Sequence, residues 1–115
     1  MRLQALDALS WEDVYPGVRR RVVGAAHMTL TVYRFAPAAR FPTHRHAQEQ
    51  VVLVCEGAVT FASGAQAVTV TPGHVLVIAP GVPHEATAGP EGASLVSVVS
   101  PARQTATDYV VEESR

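Results

Sequence analysis

The sequence predicts an all-β domain closed into a sandwich or barrel, and three observations carry that prediction. Eight Gly and eight Pro are scattered through the 115 residues as punctuation, with no cluster that would mark a linker. The segments between them are short and rich in Val and Thr, residues that fit a pleated, half-buried surface. Turn signals recur at nearly even spacing, the pattern of strands that pair in sequence around a common core.

Taken in order, residues 1–17 form an N-terminal arm that contains Leu6, Leu9 and Trp11. The arm either packs on a partner subunit or caps the barrel as an ordinary terminus. Residues 18–103 form the barrel itself, a single domain, and residues 104–115 a C-terminal tail. Strands are expected over 19–23, 28–35, 49–55, 59–62, 67–70, 75–78, 85–88 and 94–100. Between them, Glu56-Gly57, Ser63-Gly64, Pro72-Gly73, Pro80-Gly81 and Gly89-Pro90 each supply a residue that tolerates positive φ or holds it negative.

Composition narrows the partners. With 48% hydrophobic residues the chain can bury a real core. Nine basic against ten acidic residues leave a formal charge of -1, with no basic run to follow a phosphate backbone, so nucleic acid is not an expected partner. The apolar runs 51–55 and 75–80 are far shorter than the roughly 20 residues of a membrane span. The opening residues combine acids with a Trp where an export signal would be continuously apolar, so a cytoplasmic location is expected. The single cysteine, Cys55, has no partner for an intramolecular disulfide and reads as a small buried hydrophobe.

Chemistry concentrates in two segments. In Pro-Thr-His-Arg-His-Ala-Gln-Glu-Gln, residues two apart on an extended chain face the same way, so His44 and His46 can present their imidazoles to one ion. Gln50 shares their parity and can add a carboxamide oxygen. Glu49 has the opposite parity, and a register shift of one residue would exchange the two. In the second segment a rigid turn, 79–83, delivers His84. Three histidines from two strand ends point to one divalent transition metal. A His-x-His pair alone is a weak motif; the third His in an all-β context strengthens it. His27 and His74 lack ligand spacing.

At these residues the sequence resembles the cupin superfamily, whose motifs have the forms G-x5-H-x-H-x3,4-E-x6-G and G-x5-P-x-G-x2-H-x3-N. His44, His46 and Gly57 meet the first, with Gln50 where Glu is usual and Ala38 at the leading Gly. Gly73, Gly81 and His84 meet the second, with Ala79 for Pro and Ala88 for Asn. The resemblance implies a double-stranded β-helix, or jelly-roll barrel. Three neutral imidazoles and a neutral amide leave the full double charge on an ion, making a stronger Lewis acid than a carboxylate-bound one. Zn, Ni, Fe, Mn and Cu all suit such ligands.

The His-x-His-x3-Gln pattern with a late Ser100-Pro101-Ala102-Arg103 is similar to the small bacterial group that includes the pectin-degradation protein. That likeness implies isomerisation of an unsaturated uronic acid with an acid on the last strand. Ser97 stands at the acid's position and cannot act as a general base near neutral pH, so that activity is not carried over.

Around the site, Arg103 is a candidate for binding a substrate carboxylate, or else a solvated cation. Tyr33 and Phe35 lie on one strand face, and Met28, Leu30 and Val32 on the other, so either set can line a pocket. Arg19, Arg20 and Arg21 alternate across a strand, and Arg21 is the candidate for an anion-binding pocket. The expected function is a metal-dependent isomerase, lyase or cyclase acting on a small anionic sugar-acid-like or enolisable carbonyl compound. The alternatives are a metal-dependent dioxygenase and a non-catalytic small-molecule-binding protein. Open sheet edges suggest a homodimer.

Overall fold

Alternation of large and small side chains along two long strands organises the chain. The computed structural model describes residues 1–105 and 108–112. Among the described residues, a short 3-10 turn (Leu6–Ala8) precedes β1 (Glu12–Tyr15), β2 (Val18–Gly24), β3 (Thr29–Phe35), β4 (Arg40–Arg45), β5 (Glu49–Ser63), β6 (Gln66–Val70), β7 (Val75–Ile78), β8 (His84–Ser100) and β9 (Val110–Val111).

β5 and β8 run antiparallel to each other through almost their whole lengths; β3, β4, β6 and β7 pair with one or the other, and β1, β2 and β9 add on beyond them. The first half of β5 and the second half of β8 build a layer in the order β7-β5-β8-β3-β2-β1. The second half of β5 and the first half of β8 build the facing layer, β6-β5-β8-β4-β9. One curled antiparallel sheet thus closes into the jelly-roll barrel that the sequence predicts.

The strands expected over 49–55 and 59–62 are one strand, as are those over 85–88 and 94–100. Glu56-Gly57 and Gly89-Pro90 lie within these strands, and the β5–β8 register shifts on both sides of Gly57. A Cβ at Gly57 would stand 2.1 Å from the Gly92 carbonyl oxygen, and Gly57 and Gly92 have φ of +75° and +76°. Only glycine permits two strands to fold over together at that distance.

The core lies between the layers. Val18, Val52, Val59 and Val99 are fully buried, with Phe35, Phe41, Phe61 and Leu95 around them. Each such side chain contributes roughly 1.5–3 kcal/mol by leaving water. β1 and β9 extend the sheet beyond the expected barrel limits at residues 18 and 103. Within the expected tail, residues 106–107 and 113–115 lie outside the described residues. Cys55 is exposed rather than buried, because it falls in the register shift between Val54 and Glu56. Among the described residues no helix is long and apolar enough to cross a membrane.

Candidate metal centre

β4 and β8 pair so that His44 and His84 stand directly opposite each other, their ring centroids 4.3 Å apart. His46 follows the end of β4, where its carbonyl oxygen accepts a hydrogen bond from Gly81 N at 2.8 Å. That bond ties the His-x-His segment to the turn that delivers His84. The three imidazoles are buried, and their ligand atoms lie within 4.8 Å of one another.

Each ring is fixed by the same device. Nδ1 of His44 faces the Pro42 carbonyl at 2.9 Å, Nδ1 of His46 that of Gln48 at 3.0 Å, and Nδ1 of His84 that of Val82 at 2.8 Å. A carbonyl only accepts, so Nδ1 must donate and Nε2 presents its lone pair to the interior. Backbone carbonyls thus set the tautomer of all three rings, the role that outer partners play for metal-binding histidines.

Gln50 comes from β5, whose inward residues Gln50, Val52 and Val54 alternate with outward ones. Its Oε1 lies 3.0 Å from His46 Nε2, and its Nε2 donates to Ser97 Oγ at 2.9 Å. Both His46 nitrogens therefore face oxygen acceptors, yet a neutral imidazole carries one N–H. Burial lowers the pKa of His46 and so opposes the imidazolium form. Turning the Gln50 amide over, with Nε2 donating to His46 and Ser97 Oγ donating to Oε1, resolves the conflict without an ion; with a cation bound, Oε1 faces it instead. His84 Nε2 is likewise buried, with no hydrogen-bond partner among the described residues. The residues present therefore fit a divalent ion bound by three imidazoles, with the carboxamide oxygen in reach. Burial, reinforced by the neighbouring His84, holds His44 down to about 3, so its ring stays neutral well into acid.

The cluster opens on a cavity of about 30 Å³ whose lining includes Tyr33, Phe41, Phe61, Leu95 and Arg103. Among the described residues no carboxylate lines it. On another side of His84 lies a cleft of about 250 Å³, with Phe61, Leu76, Ile78 and Val82 among its walls. Tyr33 is buried with its phenol pKa raised by that burial, against the opposing pull of Arg103 and Arg20. Arg103 also donates to the Asp108 carbonyl at 3.2 Å.

Arg21 does not face this interior. On β2 the inward positions are Val18 and Arg20, and Arg21 points outward, its guanidinium 4.1 Å from the Trp11 ring centroid and 3.5 Å from the Asp7 carboxylate. Arg20 is the buried member of the triplet and lies opposite Tyr33 in the sheet. Glu49 is exposed. His27 and His74 stand outside the cluster, and His74 Nδ1 lies 3.1 Å from Thr71 Oγ1.

The sequence reading misses two contributors, Gln48 and Tyr109, and sees in a third, Ser97, only a missing acid. Ser97 orients Gln50 and lies on the inward side of β8 with Leu95 and Val99, a parity visible in the sequence. Gln48 is buried, supplies the carbonyl for His46 and donates to Asp108 Oδ2 at 2.7 Å. Tyr109 packs 5.4 Å from the His44 ring and shares a 3.1 Å hydrogen bond with the Tyr15 hydroxyl. Burial and that bond push its pKa up to about 12. No local motif marks Gln48 or Tyr109.

A jelly-roll barrel enclosing a three-histidine cluster defines the structural class of the cupins. The cupin domain profile matches residues 31–99, more than half of the sequence, and the chain belongs to the cupin family. Among solved structures it is similar to an RmlC-like cupin from Shewanella frigidimarina, with 26% identity over 90% of this chain and 94% of that one, at a TM-score of 0.82. It also resembles KdgF from Halomonas sp. (23% identity, 85% and 91% covered, TM-score 0.78). A third similar structure is the polyketide cyclase RemF from Streptomyces resistomycificus (21%, 100% and 87%, 0.83). The last two likenesses show shared fold alone. No curated protein sequence matches the chain.

Proposed function

We propose that this chain is a metal-dependent cupin enzyme of isomerase, lyase or cyclase type, acting on a small anionic, enolisable carbonyl or sugar-acid-like compound. The observation that carries the reading is the convergence of three buried imidazoles, each with Nδ1 turned to a backbone carbonyl, whose ligand atoms lie within 4.8 Å of one another. His44, His46 and His84 would hold one divalent ion, with Gln50 as fourth ligand. Such an ion supplies Lewis-acid polarisation of a substrate oxygen, undiminished by any anionic ligand.

The chain's own groups suit the rest of the chemistry. Arg103, at the cavity wall, presents a planar donor fork for a carboxylate. The Tyr33 phenol keeps its proton and can donate it to a developing oxyanion. Phe35, Phe41 and Phe61 exclude water and favour a flat, unsaturated carbon frame. Polyketide cyclase activity in a structural neighbour supports this class of reaction. The lack of a carboxylate in the lining among the described residues favours a second reading, a non-catalytic pocket that binds the same kind of anion.

Metal analysis of protein purified without chelator tests the centre. About one equivalent of a transition metal is expected, lost in His84→Ala; unchanged metal content in that variant removes the site. Ser97→Ala should weaken metal affinity about 10–100-fold by releasing the Gln50 amide, with folding intact. Turnover of enolisable keto acids by the loaded protein, abolished in Tyr33→Phe, separates catalysis from binding alone.

A further inference from the structure

We infer that the open edge of the barrel between β6 and β7 seats a hydrocarbon group of the substrate, so that the preferred compound is an oxo acid with an alkyl or aryl chain rather than a polyol. The place of the ion rests on the proposed function, while the cleft is defined by the chain alone. Among the described residues β6 and β7 each pair only with β5, one in each layer, so the two layers part at this edge. The gap is the cleft of about 250 Å³. At its inner end, His84 and Phe61 line both the cleft and the cavity of about 30 Å³ at the three imidazoles. On one wall Ile78 stands opposite Gln50 in register, and on the other Val68 stands opposite Phe61.

Volume decides where the bulk of a substrate goes. A cavity of about 30 Å³ holds about two water molecules, whereas pockets for small molecules run from roughly 300 Å³ upward. The cavity thus takes the reacting atoms, and the remainder of the molecule lies beyond it. Two other openings come near. The one beside Arg20 shares only Arg103 with the cavity, and the one beside Tyr109 shares none of its lining residues. The cleft alone of the three meets the cavity at an imidazole, and its volume approaches that of a ligand pocket.

The chemistry of the walls decides which part of the molecule enters. Phe61, Val68, Leu76, Ile78 and Val82 form them, and among the described residues no Asp, Glu, Lys or Arg lines the cleft. Ser63 Oγ is already engaged, donating to the Pro83 carbonyl, and Gln66 is exposed at the rim. A hydroxylated chain placed there exchanges hydrogen bonds with water for contacts with Val, Leu and Ile, a cost that a hydrocarbon avoids. The anionic end has its partner in Arg103, which lines the cavity and not the cleft. The order of groups is therefore carboxylate at Arg103, oxygen at the ion beside His84, and hydrocarbon between β6 and β7.

Titration calorimetry of the metal-loaded full chain with pyruvate, 2-oxobutanoate, 2-oxopentanoate and 2-oxohexanoate tests this. Affinity should rise roughly fourfold for each methylene that leaves water. D-Galacturonate, an anion with hydroxyls in place of the hydrocarbon, should bind at least about tenfold more weakly than 2-oxohexanoate. Val68→Trp, which fills the cleft from an exposed position on β6, should remove the rise with chain length. Val22→Trp, in the opening beside Arg20, should retain it. Circular dichroism reports the fold of each variant, and Val68→Ser, which makes the same wall polar and should flatten the rise, decides if Val68→Trp does not fold. Affinities independent of chain length overturn the inference, as does tighter binding of D-galacturonate or a rise that Val22→Trp removes and the Val68 variants keep. Metal content reads the proposed centre separately. A chain that retains no ion still tests the cleft with propanoate against hexanoate, where hexanoate should bind at least about tenfold more tightly and equal affinities overturn the inference.

Discussion

The inner and outer faces of a single layer, β7-β5-β8-β3-β2, both depart from the usual alternation of an antiparallel sheet, in which apolar residues face the core and polar residues face water. Inward, the rows contain Gln50, Thr29, Ser97, Thr31, Tyr33 and Arg20 among the aliphatic residues. Outward, the neighbouring positions are almost all Val or Leu. Polar groups placed where burial penalises them, and apolar groups placed where water surrounds them, both cost stability unless something else is gained. On the inside the gain is a set of oriented donors and acceptors around three imidazoles. On the outside, Val75, Val77 and Leu53 stand exposed.

The largest test of this contrast is acidification of the metal-free protein. An unfolded histidine titrates near 6.5, while folded His44 is held to about 3. Between those values the unfolded chain binds the proton and the native one does not, so stability is greatest above 6.5 and falls as pH drops. His44 alone should contribute a loss of about 1.4 kcal/mol per pH unit. His46 and His84, also lowered by burial, steepen the fall. Urea midpoints measured across this range should show the slope, reduced in His44→Gln and unchanged in Val77→Thr. A flat profile would mean that the imidazoles are exposed to water and the inner face is not what it is described to be.

Next in size is a matched pair of truncations. Val52→Ala, on the inner face, removes a fully buried side chain and should cost about 2–3 kcal/mol at any protein concentration. Val77→Ala, on the adjacent strand but the outer face, should cost under about 0.5 kcal/mol in dilute protein, with any larger effect appearing only where the chain associates. Denaturation at two concentrations checks both. Equal costs under dilution would show that the outer rows are covered within a single chain.

How much of this was legible beforehand follows from the reach of each signal. Barrel, cupin motifs and the grouping of His44, His46 and His84 all rest on local spacing, and strand parity suffices to turn Gln50 inward. Glu56-Gly57 and Gly89-Pro90 read as ordinary turns, since nothing local distinguishes a hairpin glycine from one inside a long strand, and nothing local marks Gly92 as the partner of Gly57. The alternation of Arg19, Arg20 and Arg21 was plain, but which parity faces the core depends on the Arg20–Tyr33 register, and that is set across strands. Tyr109 reaches His44 from a tail far away in sequence.

The smallest expected effect separates the inner face from the turn that feeds it. Ala38 stands where the cupin motif has glycine, and its φ is +60°. It keeps the left-handed conformation despite its Cβ, with its N–H bonded to the Gly89 carbonyl at 3.1 Å. The turn thus retains the geometry that starts β4 toward His44, at the cost of local strain. Ala38→Gly relieves the strain but enlarges the freedom of the unfolded chain, and the difference should stabilise the protein by about 0.5–1 kcal/mol. Thermal unfolding should shift upward while metal affinity stays the same, because the carbonyls that orient the three imidazoles belong to other residues. A change in affinity without a change in stability would place the turn, rather than those carbonyls, in control of the ring positions.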